Sequence, residues 1–319
     1  SIWCQLVHLF IFQVVSLLKR LLGTVPVIFG VLLLTFVLVH AIPGDPVEVM
    51  LGESASSADR EVLRQNLGLD EPLAIQFFQY VSKVAQGDLG VSIHSKKPIV
   101  DLLAERLPAT IKLAALALII AISIGVPLGI VAALKVDRWA DNLATVMSLT
   151  ISAMPHFWLG PLLMMVFALW LGLLPVSGMD VNTSMILPAL TLGFGLAAIL
   201  TRMTRASMLE VLHEDFIRTA RAKGLPEKTV ILKHALRAAL LPIVTVLGLQ
   251  LGSLLAGTVI TETVFAWDGI GRLLVESIEK RDYPVTQACV LVIALTYVFV
   301  NLLTDIIYTR IDPRVRFSS

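Results

Sequence analysis

Residues 202–242 read RMTRASMLEVLHEDFIRTARAKGLPEKTVILKHALRAALLP. Arg202, Arg205, Arg218, Arg221, Lys223, Lys228, Lys233 and Arg237 stand there against Glu210, Glu214, Asp215 and Glu227. Apolar runs long enough to cross a bilayer flank the stretch on both sides. An Arg or Lys at the centre of a bilayer costs about 2.5–3.5 kcal/mol, so this passage stays in water and its flanks are membrane spans. Its middle has the marks of one short helix. Glu214 and Asp215 put negative charge at the start, where the helix dipole favours it. Arg221 and Lys223 fall in the last turn, Gly224 sits at a left-handed C-cap, and Pro226 blocks continuation. About ten residues at 1.5 Å each give roughly 15 Å, too short to span anything.

Composition agrees with the membrane class. The chain has 319 residues, 56% of them hydrophobic and only 15% charged, with mean hydropathy +0.84, too apolar for a soluble domain of this size. The fold class expected is an all-α membrane protein of six transmembrane helices, near 21–41, 109–134, 143–172, 185–204, 237–261 and 285–308. Gly and Pro recur inside these runs. They read either as close helix packing and kinks or, at Pro155, as a break lining a substrate path. Six spans put both termini on one side, together with residues 205–236. That side holds 15 of the 25 Lys and Arg but only 8 of the 24 Asp and Glu, so the positive-inside bias makes it cytoplasmic.

Residues 42–107 are too long for a turn and are expected outside. Three short helices are expected there: one capped by Ser56 or Ser57 and running to Asn66, one from Pro72 with Ile75, Phe78 and Val81 or Ser82 on one face until Gly87, and one from Pro98 to Arg106. A second outer segment, 262–284, carries Phe265 and Trp267, which suit an interfacial belt, and a helix from Gly271 to Glu279. The leading stretch, residues 1–20, reads as a helix along the inner interface. A seventh span, a signal sequence without a basic start and a non-native leader are the other readings.

Soluble-enzyme chemistry is missing from the pattern. There is no phosphate loop and no His-Glu-x-x-His or nucleophile-elbow motif. Cys4 and Cys289 lie far apart, and His8, His40, His94, His156, His213 and His234 are scattered without ligand spacing, so no metal is expected. The basic loop lacks the aromatic interleaving of a nucleic-acid surface, and no nucleic-acid partner is expected. Asp305 lies well inside a span, with Asn301 a turn earlier, and reads as a helix–helix hydrogen bond rather than an ion relay.

EDFIRTARAKGL (214–225) followed by HALRAALLP (234–242) resembles the cytoplasmic loop of ABC importer permeases, and most closely the peptide and nickel class. IPGDP (42–46), LGLDEPL (67–73), GDLGVS (87–92), RLPATIKL (106–113), MPHFWLG (154–160), LPALTLG (187–193), RDYPVTQA (281–288) and DPRVR (312–316) agree in order. The resemblance runs from about residue 15 to the end. It departs from the usual pattern at Asp268, where the class commonly has Pro, and at Ala238, where Asn is frequent.

The resemblance implies a dipeptide or oligopeptide permease subunit in the bacterial inner membrane, with nickel chelates and glutathione as sibling solutes. The implied partners are a second homologous permease subunit, two cytoplasmic ATPase subunits that bind ATP and Mg, an extracytoplasmic solute-binding protein and membrane lipid. This chain itself would hold no cofactor and perform no catalysis. The ATPase-coupling positions implied are Glu214, Asp215, Phe216, Arg218, Thr219, Ala220, Arg221, Ala222, Lys223 and Gly224, with Ala220 on a small docking face. Met154, Pro155, His156 and Gln250 are the expected translocation-path residues. An autonomous ion-coupled carrier is the alternative from a different class, and it predicts buried carboxylates on several spans.

Overall fold

The computed structural model describes residues 23–37, 40, 47, 57–66, 70–179 and 182–311. The expected interfacial helix over residues 1–20 lies outside them. Among the described residues the chain is helical without a strand, apart from an isolated bridge between Val91 and Pro98. The helices are α1 (Gly23–Val37), α2 (Ser57–Asn66), α3 (Leu73–Ala85), α4 (Ile99–Leu134), α5 (Trp139–Ala153), α6 (His156–Leu163), α7 (Ile186–Leu212), α8 (Asp215–Ala222), α9 (Glu227–Val264), α10 (Ile270–Glu279) and α11 (Tyr283–Ile311). Four of them, α4, α7, α9 and α11, are long and apolar enough to cross a membrane. The count becomes five if α5 and the helical stretch Phe157–Trp170, which carries α6 on through a π-helical segment, form one span across their 116° bend. Helix α1 is apolar but shorter.

The helices pack as two compact units. The first joins the described residues up to Glu105 with Leu274–Leu302. Leu32 and Phe36 of α1, Phe77 of α3 and Leu291 of α11 form its core. Phe77 meets Phe36 edge-on with ring centroids 5.4 Å apart, a favoured aromatic geometry. The face of α3 that packs therefore carries Phe77, with Tyr80 and Val81 beside it. Of the expected face Val81 packs here, whereas Ile75 and Phe78 are 46% and 70% exposed, so the packed face is turned toward Phe77. The Asp282 carboxylate accepts hydrogen bonds from Ser92 Oγ at 2.6 Å and from the Ile93 and His94 amides at 3.2 and 3.3 Å. One buried acid thereby ties down the turn before α4.

The second unit comprises Arg106–Leu273 and the described residues from Leu303 onward. Helix α7 is its centre: 61% of the apolar window of that span is buried, against 22% for α4 and for α9. Leu113, Ala117 and Ala121 of α4, Leu192, Leu196 and Leu200 of α7, and Ile243 and Leu254 of α9 share one core. Helices α4 and α7 approach closely through Gly125 and Gly129, because a Cβ on Gly125 would stand 2.8 Å from the Ala197 carbonyl oxygen and one on Gly129 2.7 Å from that of Thr201. This is the small-x-x-x-small packing that membrane helices use in place of a hydrophobic driving force. The outward sides of α4 and α5 keep Ile111, Ile119, Leu128, Val146 and Met147 exposed, as suits surfaces that meet lipid or another apolar face.

Three expectations are corrected here. The helices expected at 98–106 and 109–134 are one 36-residue helix, α4, that passes through Pro108. Proline costs one backbone bond, and membrane helices tolerate it where packing holds the turn; Ala109 and Leu113 are buried just beyond it. The span expected to end at 204 continues in helix through the polar residues after Arg202 to Leu212. Finally, Phe265 and Trp267 are 2% and 5% exposed, which makes them core residues rather than an interfacial belt. Phe265 packs with Leu159, Leu163 and Leu187, while Trp267 Nε1 donates to the Ala109 carbonyl at 3.1 Å.

Candidate functional site

Helix α8 is built as its sequence dictates. Glu214 is extended at the N-cap (φ −69°, ψ 149°) and Asp215 occupies the first turn. At the other end Gly224 has φ +74°. The Leu225 amide reaches back to the Ala220 carbonyl at 3.4 Å, and the Gly224 amide to that of Arg221 at 2.9 Å. That pair of bonds is a Schellman cap, which requires the left-handed residue that glycine supplies without strain. Arg221 then clamps the exit of the turn, its Nη2 lying 2.7 Å and its Nε 3.2 Å from Glu227 Oε1. Hydrogen bonding to Glu227 holds the Arg221 guanidinium above its already high range.

The helix has two distinct sides. Ile217 (0% exposed) and Ala220 (6%) pack with Met208 of α7, Ala133 of α4 and Val230, Ala235 and Ala239 of α9. Residues Val230–Ala235 beneath it are π-helical, a widened turn common at functional positions. Glu214, Asp215, Phe216, Arg218, Thr219, Arg221, Ala222, Lys223 and Gly224 are all exposed. Ala220 thus lies against the chain's own core, not on the small docking face expected for it. Arg218 forms only a 3.6 Å pair with Asp215, an exposed contact of little energetic weight.

A second feature lies at the break between α5 and α6. Met154 and Pro155 are both extended there, since a proline disfavours helical backbone in the residue before it. A cavity of about 280 Å³ opens beside this break. Met154 and Gln250 both line it, together with Ser152, Arg202 and Ser253. Pro155 is not among its lining residues, and the His156 side chain lies outside the described residues. Arg202, not singled out from the sequence as a path residue, extends toward Ser152, with Nη2 3.4 Å from the hydroxyl. One turn further, Arg205 makes a bidentate pair with Asp141 at the start of α5, at 2.5 Å (Nε–Oδ1) and 2.7 Å (Nη2–Oδ2). Asp141 is 3% exposed by side chain and Arg205 30%.

A third buried acid was not singled out either. Glu262, fully buried near the end of α9, accepts from Thr110 Oγ1 at 2.7 Å and from the Arg272 amide at 3.1 Å. Thr110 Oγ1 in turn accepts from the Ile270 amide at 2.9 Å. Among the described residues no group of His, Cys, Asp and Glu gathers with the geometry of a metal site.

Long apolar helices, a two-sided short helix on a basic turn and a cavity beside a broken span together describe a membrane transport component. Residues 125–317 match the family described as binding-protein-dependent transport system inner membrane component, and residues 13–114 match the N-terminal region of such membrane components. The chain belongs to this family, as an inner-membrane permease of the peptide and nickel class of ABC importers. It is 46% identical over 300 residues to the glutathione transport system permease protein GsiC of Escherichia coli K12, covering 94% of this chain and 98% of that protein. The GsiC of Shigella flexneri serotype 5b is equally similar, at 46% over 300 residues with the same coverage. Among solved structures, the MetNI methionine ABC transporter in an inward-facing form shares the fold: TM-score 0.57 and 16% identity, covering 66% of this chain and 96% of that one.

Proposed function

We propose that this chain forms half of the translocation path of an ATP-driven importer for small peptides, and that cytoplasmic ATPase subunits drive it through α8. The observation that carries the reading is the two-sidedness of α8. Ile217 and Ala220 fix it to the ends of α4, α7 and α9, while Phe216, Arg218 and Thr219 remain exposed. A short helix capped at its exit and anchored on three spans transmits a push as a rigid body. In this reading the partner subunits bind ATP and Mg, a second permease completes the path, and a binding protein delivers solute to the outer side. Residues 205–236 are then cytoplasmic with both termini, and 42–107 and 262–284 are outside; the excess of Lys and Arg on the first side supports that orientation.

Glutathione is the first solute to test, because the relatives at 46% identity carry it in their names. Di- and oligopeptides follow, with nickel chelates as a further sibling. The experiment is affinity capture of the tagged chain from mild detergent, with identification of bound proteins and an ATPase assay. Capture of a second permease and one or two ATPases, with turnover raised by a binding protein, is the expected result. A chain that purifies alone and moves solute into liposomes on an ion gradient without ATP overturns it.

A further inference from the structure

We infer that Arg202 is the centre of a carboxylate subsite in the cavity beside the α5–α6 break, so that the path holds a transported solute by an acid group. This deepens the importer reading above and rests on it. The cavity, about 280 Å³ in volume, is large enough to enclose a group of several heavy atoms. Its polar lining consists of Arg202, Ser152, Gln250 and Ser253, with no Asp or Glu. A guanidinium presents a planar fork of donors that matches a carboxylate bidentately.

The two arginines of neighbouring turns make the contrast. Arg205 is spent on Asp141, with both carboxylate oxygens engaged. Arg202 has no carboxylate within ion-pair distance among the described residues, and its hydrogen bond to Ser152 is long, at 3.4 Å. Hydroxyl and amide donors from Ser152, Ser253 and Gln250 complete a site suited to an anion's remaining lone pairs. The walls otherwise are apolar, including Met154, Leu159, Leu192 and Leu254. A peptide offers its terminal carboxylate to such a site, and glutathione has two.

The test uses the assembled transporter in proteoliposomes, with binding protein supplied and labelled glutathione and an alanyl dipeptide as probes. Arg202→Gln is expected to lower ATP-driven uptake about tenfold, the scale of a charge-assisted hydrogen bond, while Arg202→Lys retains a large part of it. Wild-type uptake by Arg202→Gln overturns the subsite, and so does equal loss in Arg202→Lys at normal membrane abundance. A guanidinium resting on lipid phosphate is distinguished by Ser253→Cys, a lining position of the same cavity, in a Cys4→Ser, Cys289→Ser background that keeps Arg202. Protection of the new thiol from a water-soluble maleimide by either solute supports the subsite, whereas equal labelling with and without solute overturns it. Wild-type uptake that ignores ATP defeats the importer reading itself. A wild type that is ATP-driven but moves neither probe defeats the carboxylate-solute assignment and leaves the importer class standing.

Discussion

Glu262 illustrates what a single residue does in a chain this apolar. A carboxylate removed from water must find partners or lose several kcal/mol, and this one accepts from the Thr110 hydroxyl and the Arg272 amide while itself wholly buried. It joins the end of α9 to α4 and to the first turn of α10. Glu262→Ala removes the acceptor from two buried donors at once. The expected loss is about 2–4 kcal/mol, read as a lower thermal unfolding midpoint in detergent, with Glu262→Gln milder because it keeps an acceptor oxygen. An unchanged midpoint in Glu262→Ala would show that the carboxylate does not hold these elements together. The residue is not legible in the sequence, for a physical reason. In ETVFAWDG, Glu262 looks like the first polar residue after a span ends, and nothing in composition says that the chain folds back over it. Gly224 was legible by contrast, because the basic last turn, the glycine and the following Pro226 are all local signals.

Among the elements, the long helices were legible because a bilayer fixes their length and leaves hydropathy as a strong signal. Their ends were less so. Hydropathy stops at Arg202, yet α7 runs on to Leu212, held by Met208 at 0% exposure and by the pairing of Arg205 with Asp141. Those residues follow a helical period that an apolar count ignores. The same pair joins α5 to α7 near the cavity. Asp141→Asn and Arg205→Met, made singly and together, should give a coupling energy of about 1–2 kcal/mol. That lies above exposed pairs because Asp141 is 3% exposed by side chain, and below wholly buried ones because Arg205 is 30% exposed. Unfolding in detergent of the two single variants and the double variant measures it, and strictly additive effects would mean that the pair contributes no coupling. The break at Pro155 was also readable from sequence, since proline constrains the residue before it. The cavity beside it was not, because its lining comes from four separated stretches that only packing brings together.

At the scale of the whole molecule, the same α8 must be fixed to its own chain and free to meet another, and the two demands fall on different residues. Ile217 and Ala220 meet the first and Phe216 and Arg218 the second, so substitutions on the two sides should fail in different ways. Ala220→Glu forces a charge against Met208, Val230 and Ala235, and the expected result is loss of the chain from the membrane fraction or of α8 from its seat. Gly224→Asp places a side chain at φ +74° and costs about 1 kcal/mol of cap strain, enough to loosen the helix exit without preventing insertion. Phe216→Ala and Arg218→Ala touch nothing inside the chain's core and should leave membrane abundance as it was, while ATPase capture and ATP-driven uptake fall roughly tenfold or more, as for loss of an interface hot spot. Quantitative immunoblotting of membranes, affinity capture and uptake on the same preparations separate the two patterns. If Phe216→Ala and Arg218→Ala both retain capture and uptake, the exposed side of α8 is not where force enters the permease, and its rigid seat on α4, α7 and α9 serves the fold alone.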